Sequence, residues 1–296
     1  MSPPSPVHGL DRESQRTQAA RSLLTSRLAD ARRAEAALTR KLTPKRVHDL
    51  RVATHRLRAV LTAFHDLGDL KTQEREVKQL QDALGAVRDL HVQGTWLEEA
   101  AQKSEASRRA GFQAMHARLM SPLPDKERRL RRALVRWADR TVPALERETR
   151  RLKGPGKYGG QRVRQELGHG LRQLESLMKQ RARDLTPAMV HALRTDVKKL
   201  RYEAELFVPA LGRKVKPLLE ALEPLQESLG ELHDADVRLH LLQHFALHGP
   251  AAQRAAARTL LRDTRTERAR HAARANRQLA DWHDEERTHA LCALLE

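Results

Sequence analysis

The chain has 296 residues, of which 32% are charged and only 3% aromatic, and it carries a formal net charge of +18. With so few aromatic side chains the core must come from Leu, Ala and Val, which suits packed helices, and the excess of Lys and Arg points to an anionic partner. Cys292 has no second cysteine for an internal disulfide or a cysteine metal site, no apolar run reaches about 18 residues, and the opening M-S-P-P-S-P-V-H-G-L lacks the basic and apolar regions of a signal peptide. These features predict a soluble protein of the cell interior with no membrane contact.

In chain order, residues 1–12 are expected to form a disordered tail. Apolar spacing at i, i+3, i+4 and i+7 then predicts helices over 13–41, 44–66, 70–103, 105–120 and 125–152. The stretch K-G-P-G-K-Y-G-G, 153–160, is expected to be a flexible linker. Further helices follow over 162–185, 187–210, 214–247, 250–282 and 284–295, with Cys292 as a small apolar residue of the last. Thr43 and Thr186 suit N-caps, each followed by a proline at the first helical position. Gly68, Pro209 and Gly212 suit helix exits, while Pro143 and Pro224 fall inside helical patterns and should start or kink a helix.

One helix is written twice. T-P-K-R-V-H-D-L-R-V-A-T-H-R-L-R-A-V-L-T-A-F, Thr43 to Phe64, returns as T-P-A-M-V-H-A-L-R-T-D-V-K-K-L-R-Y-E-A-E-L-F, Thr186 to Phe207. The following helix repeats as well: L-Q-D-A-L-G-A-V-R-D-L-H-V, Leu80 to Val92, matches L-Q-E-S-L-G-E-L-H-D-A-D-V, Leu225 to Val237. The unit is about half the chain, so the expected fold is all-α: one domain over 13–296, with one helical half over 13–152 and a related half over 161–296.

On a helical wheel, His48, Arg51, His55 and Arg58 form one stripe, and Leu50, Leu57, Leu61 and Phe64 oppose it. His191, Arg194, Lys198 and Arg201 take the same places in the second copy, opposite Leu193, Leu200, Ala204 and Phe207. A basic stripe is ordinarily solvated surface, and the next helix supplies an internal control. Its exposed residues Lys71, Arg75 and Lys78 correspond to Lys216, Glu220 and Glu223, a face that reverses sign between copies. The His48 stripe keeps its charge, and the pairs Gln81 with Gln226 and Arg88 with His233 stay polar. Arg56 and Lys199 point away from the stripe, where bracing a neighbouring helix is as good a role as touching a ligand. Gly85 and Gly230 read as sites of close helix approach or a kink. Asp89 and Asp234 read equally well as partners of a nearby Arg or His and as caps of a local helix break.

The pattern H-x-L-R-x-x-x-[HK]-[RK]-L-R, from His48 to Arg58 and from His191 to Arg201, followed by L-Q-x-x-L-G-x-x-x-D, resembles the CHAD domain, the conserved-histidine α-helical domain. K-K-L-R-Y-E, Lys198 to Glu203, is an especially good match. The resemblance implies two pseudo-symmetric helical bundles with a basic face or central pore that binds inorganic polyphosphate. It maps that role onto His48, Arg51, His55, Arg56, Arg58, His191, Arg194, Lys198, Lys199 and Arg201, to which the repeat adds Arg88 and His233. The first copy has His55 where an Arg is common. Many relatives carry a CYTH-type triphosphatase domain; no β-rich segment or E-x-E-x-K signature precedes the repeat here, so a stand-alone form is expected.

Linear polyphosphate carries about one charge per phosphate and acceptor oxygens on every side, so it calls for many donors and little shape recognition. Arg, Lys and protonated His supply them, and counterion release supplies much of the affinity. The expected function is therefore non-catalytic polyphosphate binding in the cytoplasm, at polyphosphate granules, without cofactor or metal and with protein partners left open. Nucleic acid is the first alternative, because any basic helical protein binds its backbone at low salt; against it stand the few aromatic platforms and the lack of helix-turn-helix or zinc-finger spacing. A metal-dependent phosphohydrolase is the second, since His48-Asp49 and His233-Asp234 resemble the HD dipeptide of such enzymes; but His191 is followed by Ala192, and the flanking Arg and Lys would repel a cation. Titration of His48, His55, His191 and His233 predicts tighter polyanion binding as pH falls from about 8 to about 6.

Overall fold

The computed structural model describes residues 4–159, 161–181, 185–282 and 293. Eleven helices are described: α1 (Arg16–Arg40), α2 (Pro44–Ala63), α3 (Lys71–Lys103), α4 (Ala106–Met120), α5 (Leu123–Arg136), α6 (Val142–Arg151), α7 (Gln161–Arg181), α8 (Pro187–Leu206), α9 (Val208–Leu211), α10 (Lys216–His248) and α11 (Ala251–Ala280). The predicted helix over 284–295 and Cys292 lie outside the described residues, apart from residue 293.

The two threonine caps form as the sequence predicts. Thr43 Oγ1 accepts from Arg46 N at 3.3 Å and Thr186 Oγ1 from Met189 N at 3.4 Å, satisfying an otherwise orphaned donor at each helix start. The repeated helices have equal lengths, 20 residues for α2 and α8 and 33 for α3 and α10. The predicted helix over 125–152 divides instead at a π-helical turn, Trp137–Thr141, where Val142 N bonds back to Trp137 O just before Pro143, a residue with no N–H to offer. Trp137 Nε1 donates to Glu35 at 3.0 Å and Thr141 Oγ1 to Glu76 at 2.7 Å, which ties this turn to α1 and α3. Pro224 neither starts nor ends a helix, since α10 runs through it. Pro209 falls within the short α9, and Gly212 ends it with φ of 57°.

Within the first half α1 packs on α2, α2 on α3, and α3 on α4 and α5; in the second, α7 packs on α8, α8 on α10, and α10 on α11. The halves touch where α2 meets α8 and where α4 meets α11. One continuous apolar core, running from Ala19 to Trp282, includes residues of both halves. A smaller core of Leu97, Phe112, Met115, Leu242, Phe245 and Ala256 joins the distal ends of α3 and α10 to α4 and α11. At the α2–α8 contact the repeat-equivalent Phe64 and Phe207 meet with ring centroids 6.4 Å apart, and Tyr158 lies against both, 5.6 Å from Phe207 and 6.5 Å from Phe64.

Tyr158 belongs to the segment expected to be a flexible linker, which is instead held in place. Its ring is fully buried and its hydroxyl donates to Leu206 O. Lys153 N donates to Leu67 O at 2.9 Å, Tyr158 N to Ser14 O at 2.9 Å and Gly159 N to Arg12 O at 3.0 Å. The glycines serve close approach here: a Cβ on Gly159 would stand 2.8 Å from Arg12 Cα. The expected disordered tail is likewise packed over residues 4–12. Ser5 Oγ donates to Asp30 at 2.6 Å, and Val7 and Leu10 lie against the core. Apolar contacts and backbone bonds offset the ordering entropy that composition alone suggested would win.

Candidate functional site

Repacking the wheel into three dimensions brings the two stripes together. The buried sides of α2 and α8 (Leu50, Leu57 and Leu61; Leu193, Leu200 and Ala204) enter the core, which leaves Arg51, His55, Arg194 and Lys198 in mutual electrostatic reach across the two halves. From α3 come Arg88, which acts on His48, and Asp89; from α10 come His233 and Asp234. His191 faces His233 at 5.5 Å between ring centroids. Four helices thus contribute to one cluster.

The helix surface beside the cluster is uncrowded at two glycines. A Cβ on Gly85 would meet nothing within 4 Å, and one on Gly230 would meet only Arg194 Nε at 4.0 Å. These glycines therefore do not serve close helix packing, as the sequence suggested. They keep a strip of the α3 and α10 surfaces low beside the cations. Asp89 and Asp234 do not cap a helix break either, because α3 and α10 continue past them.

His55 lies deepest. Its ring stacks on Tyr202 at 5.8 Å, 8° from parallel, and Arg51 Nη1 donates to its Nε2 at 3.3 Å. Burial, reinforced by Lys198 and Arg51, pushes its pKa down to about 2, so it is a neutral acceptor that orients Arg51. His48 and His233 are also lowered, first by burial and next by Arg88 and Arg194 respectively. The half-buried ammonium of Lys198, enclosed by the site's walls and then repelled by Arg194 and Arg51, is pushed down to about 7. Burial also lowers Arg194, partly offset by Asp234.

The remaining expected residues divide from this group. Arg56 is buried and pairs with Glu205 at 3.0 Å, bracing α2 against α8. Arg201 donates to Gln226 at 3.1 Å and lies 3.5 Å from Glu205 and 3.8 Å from Glu223. Arg58 pairs with Glu74 at 2.8 Å, and the exposed Lys199 stands 3.9 Å from Glu203. By contrast, Arg51, Arg88, Arg194 and Lys198 have no carboxylate in contact among the described residues. Asp49 pairs with Lys45 at 2.9 Å, which leaves the His48-Asp49 dipeptide without a convergent second set of ligands among the described residues. A cavity of about 670 Å³ lies behind Tyr202, against residues 4–10. Its guanidinium groups, Arg27, Arg56 and Arg201, are all engaged by carboxylates or a carbonyl.

Tyr202 and Glu205 escape a reading based on repetition, because their counterparts in the first copy are Ala59 and Thr62. Tyr202 does fall in the family-like K-K-L-R-Y-E segment, but the signal for the pair is the difference between copies: the second brings a ring and a carboxylate where the first has neither.

Fold and site together define an all-α protein whose two repeated helix pairs surround a cluster of cations. The family model described as the CHAD domain matches residues 22–243, and the chain belongs to the CHAD domain family. Among solved structures it is similar to the crystal structure of the CHAD domain from the plant Ricinus communis, at 24% identity over 94% of this chain and 96% of that one, with a TM-score of 0.73. It is also similar to PptA from Streptomyces chartreusis, at 17% identity over 90% of this chain and 99% of that one, with a TM-score of 0.66. At these identities the likeness concerns the fold. No curated protein matches the chain. No helix among the described residues is long and apolar enough to cross a membrane.

Proposed function

We propose that this protein binds inorganic polyphosphate, without catalysis, between its two repeated halves. The observation that carries the reading is that Arg51, Arg88, Arg194 and Lys198 come from three helices to one cluster with no carboxylate in contact among the described residues, whereas the other Arg and Lys residues of the motif, Arg56, Arg58, Lys199 and Arg201, are ion-paired. Arg forks engage phosphate oxygens two at a time, and a flexible polyanion can satisfy cations on both sides at once. Tyr202 is buried against His55 rather than offered as a stacking platform, which favours polyphosphate over single-stranded nucleic acid. Such a protein would act where the polymer accumulates, in cytoplasmic polyphosphate granules.

The test is a competition titration with immobilised polyphosphate against tRNA and duplex DNA at physiological salt. Charge reversal at Arg51 and Arg194 should weaken polyphosphate binding by at least about a hundredfold, as expected for two lost charge-assisted contacts. Reversal at the exposed Lys71, Arg75 and Lys78 should cost far less. Equal losses from both sets, with circular dichroism unchanged, would mean that net charge alone drives binding. A preference for nucleic acid would overturn the reading.

A further inference from the structure

Two carboxylates stand beside the cationic cluster, Asp89 exposed and Asp234 half-buried. Asp89 on α3 and Asp234 on α10 occupy matching places in the repeated segments, one residue after Arg88 and His233. Asp89 is in electrostatic reach of Arg51, His233 and Arg194, and Asp234 of Arg194 and His233. Among the described residues, neither makes a hydrogen bond or an ion pair in contact. Asp is a poor helix former, and partial desolvation pushes the carboxyl of the exposed Asp89 above its ordinary range. Each lies four residues after the open glycine of its helix, Gly85 or Gly230, and so shares that glycine's face. A polymer lying along the site passes over them.

Their surroundings supply a reason for their presence. Arg51 repels both Arg194 and Lys198 across the halves, and without a ligand those like charges face one another. Resting on the polyphosphate reading above, we propose that Asp89 and Asp234 are internal competitors of the ligand: counter-charges that steady the facing cations when the site is empty and oppose an incoming polyanion. They set the affinity downward and keep the bound polymer exchangeable. A role in orienting Arg51 or Arg194 by hydrogen bonding would require the contact that neither carboxylate makes.

The test uses the full chain and long-chain polyphosphate, with D89N, D234N, the double variant, and D82N as control. Asp82 is exposed on α3, two turns before Asp89, and is already paired with Lys78 at 2.7 Å, so D82N removes the same charge from a carboxylate that has its own cation. Removing a carboxylate from beside the ligand should tighten binding by on the order of tenfold at low salt, with a gain that shrinks as salt is added. The double variant should bind tighter still, while D82N changes affinity by less than about twofold. Weaker or unchanged binding in the folded single variants overturns the proposal, as does a D82N effect equal to that of D89N. The R51E/R194E variant separates the two ideas. If it loses binding and the Asp variants fail to tighten it, only the counter-charge proposal falls; if it keeps binding, or the wild type does not bind, both fall.

Discussion

Lys198 and His55 show how neighbours change what a residue type does. A histidine on a basic stripe is, from sequence, the natural pH sensor. His55, however, is held neutral by burial and by Lys198 and Arg51, so it cannot contribute the rise in affinity expected between pH 8 and 6. Lys198, depressed to about 7, titrates there in its place. A bound polyanion favours the charged amine and raises its pKa, so polyphosphate affinity should be full below about pH 7 and fall as pH rises above it. The fall, read by titration at fixed ionic strength, should flatten in K198R, whose guanidinium stays charged, and persist in H55Q. An unchanged slope in K198R would remove Lys198 from the response. In the ligand-free protein the sign for His55 is opposite in consequence: below about pH 6.5 the unfolded chain takes up a proton that the native site refuses, so stability is lost as pH falls.

Among the helices, the α2–α8 contact separates binding from bracing. Arg56 is an invariably charged group buried at 8% exposure, and Glu205 serves both it and Arg201. Removing Arg56 takes one of two guanidinium partners from the half-buried Glu205 and leaves it Arg201, so R56A should cost about 2 kcal/mol in urea unfolding. R51E, whose target is open and without a carboxylate in contact, should weaken polyphosphate binding while changing stability by less than about 1 kcal/mol. If R56A left stability unchanged and abolished binding in the folded protein, Arg56 would belong with the ligand cations. The wheel was able to set Arg56 apart because direction around a helix follows from spacing; its partner was not legible, since Glu205 lies 149 residues away and Thr62 occupies the equivalent place.

Over the whole molecule, the halves depend on each other through Phe64, Phe207 and the Tyr158 ring that packs between them. Y158A should destabilise by about 3–5 kcal/mol, the usual result of emptying a buried aromatic site, and should weaken polyphosphate binding by loosening the opposition of the two stripes. Each half expressed alone would expose its side of this junction and lose the shared cradle; two separately folded halves, each binding as tightly as the intact chain, would refute this. Unfolding curves and titrations on Y158A measure both consequences.

The sequence by itself determined the helices, their caps, the repeat and the basic stripe, because periodicity, Thr-Pro starts and charge are local or recur at a fixed spacing. It also pointed to the CHAD family through the same residues. Tertiary structure decided which cations remain open. Arg51 and Arg194 look like Arg58 and Arg201 on a wheel, yet only the latter pair meets carboxylates or an amide from the next helix. It also decided that residues 153–159 and the N-terminal segment pack rather than move, since backbone bonds to Leu67, Ser14 and Arg12 form only once distant parts of the chain are side by side. Finally, it turned Gly85, Gly230, Asp89 and Asp234 toward one open site. Which face of a helix becomes interior is written in its own apolar spacing, but what stands opposite the other face is set by the packing of the two halves.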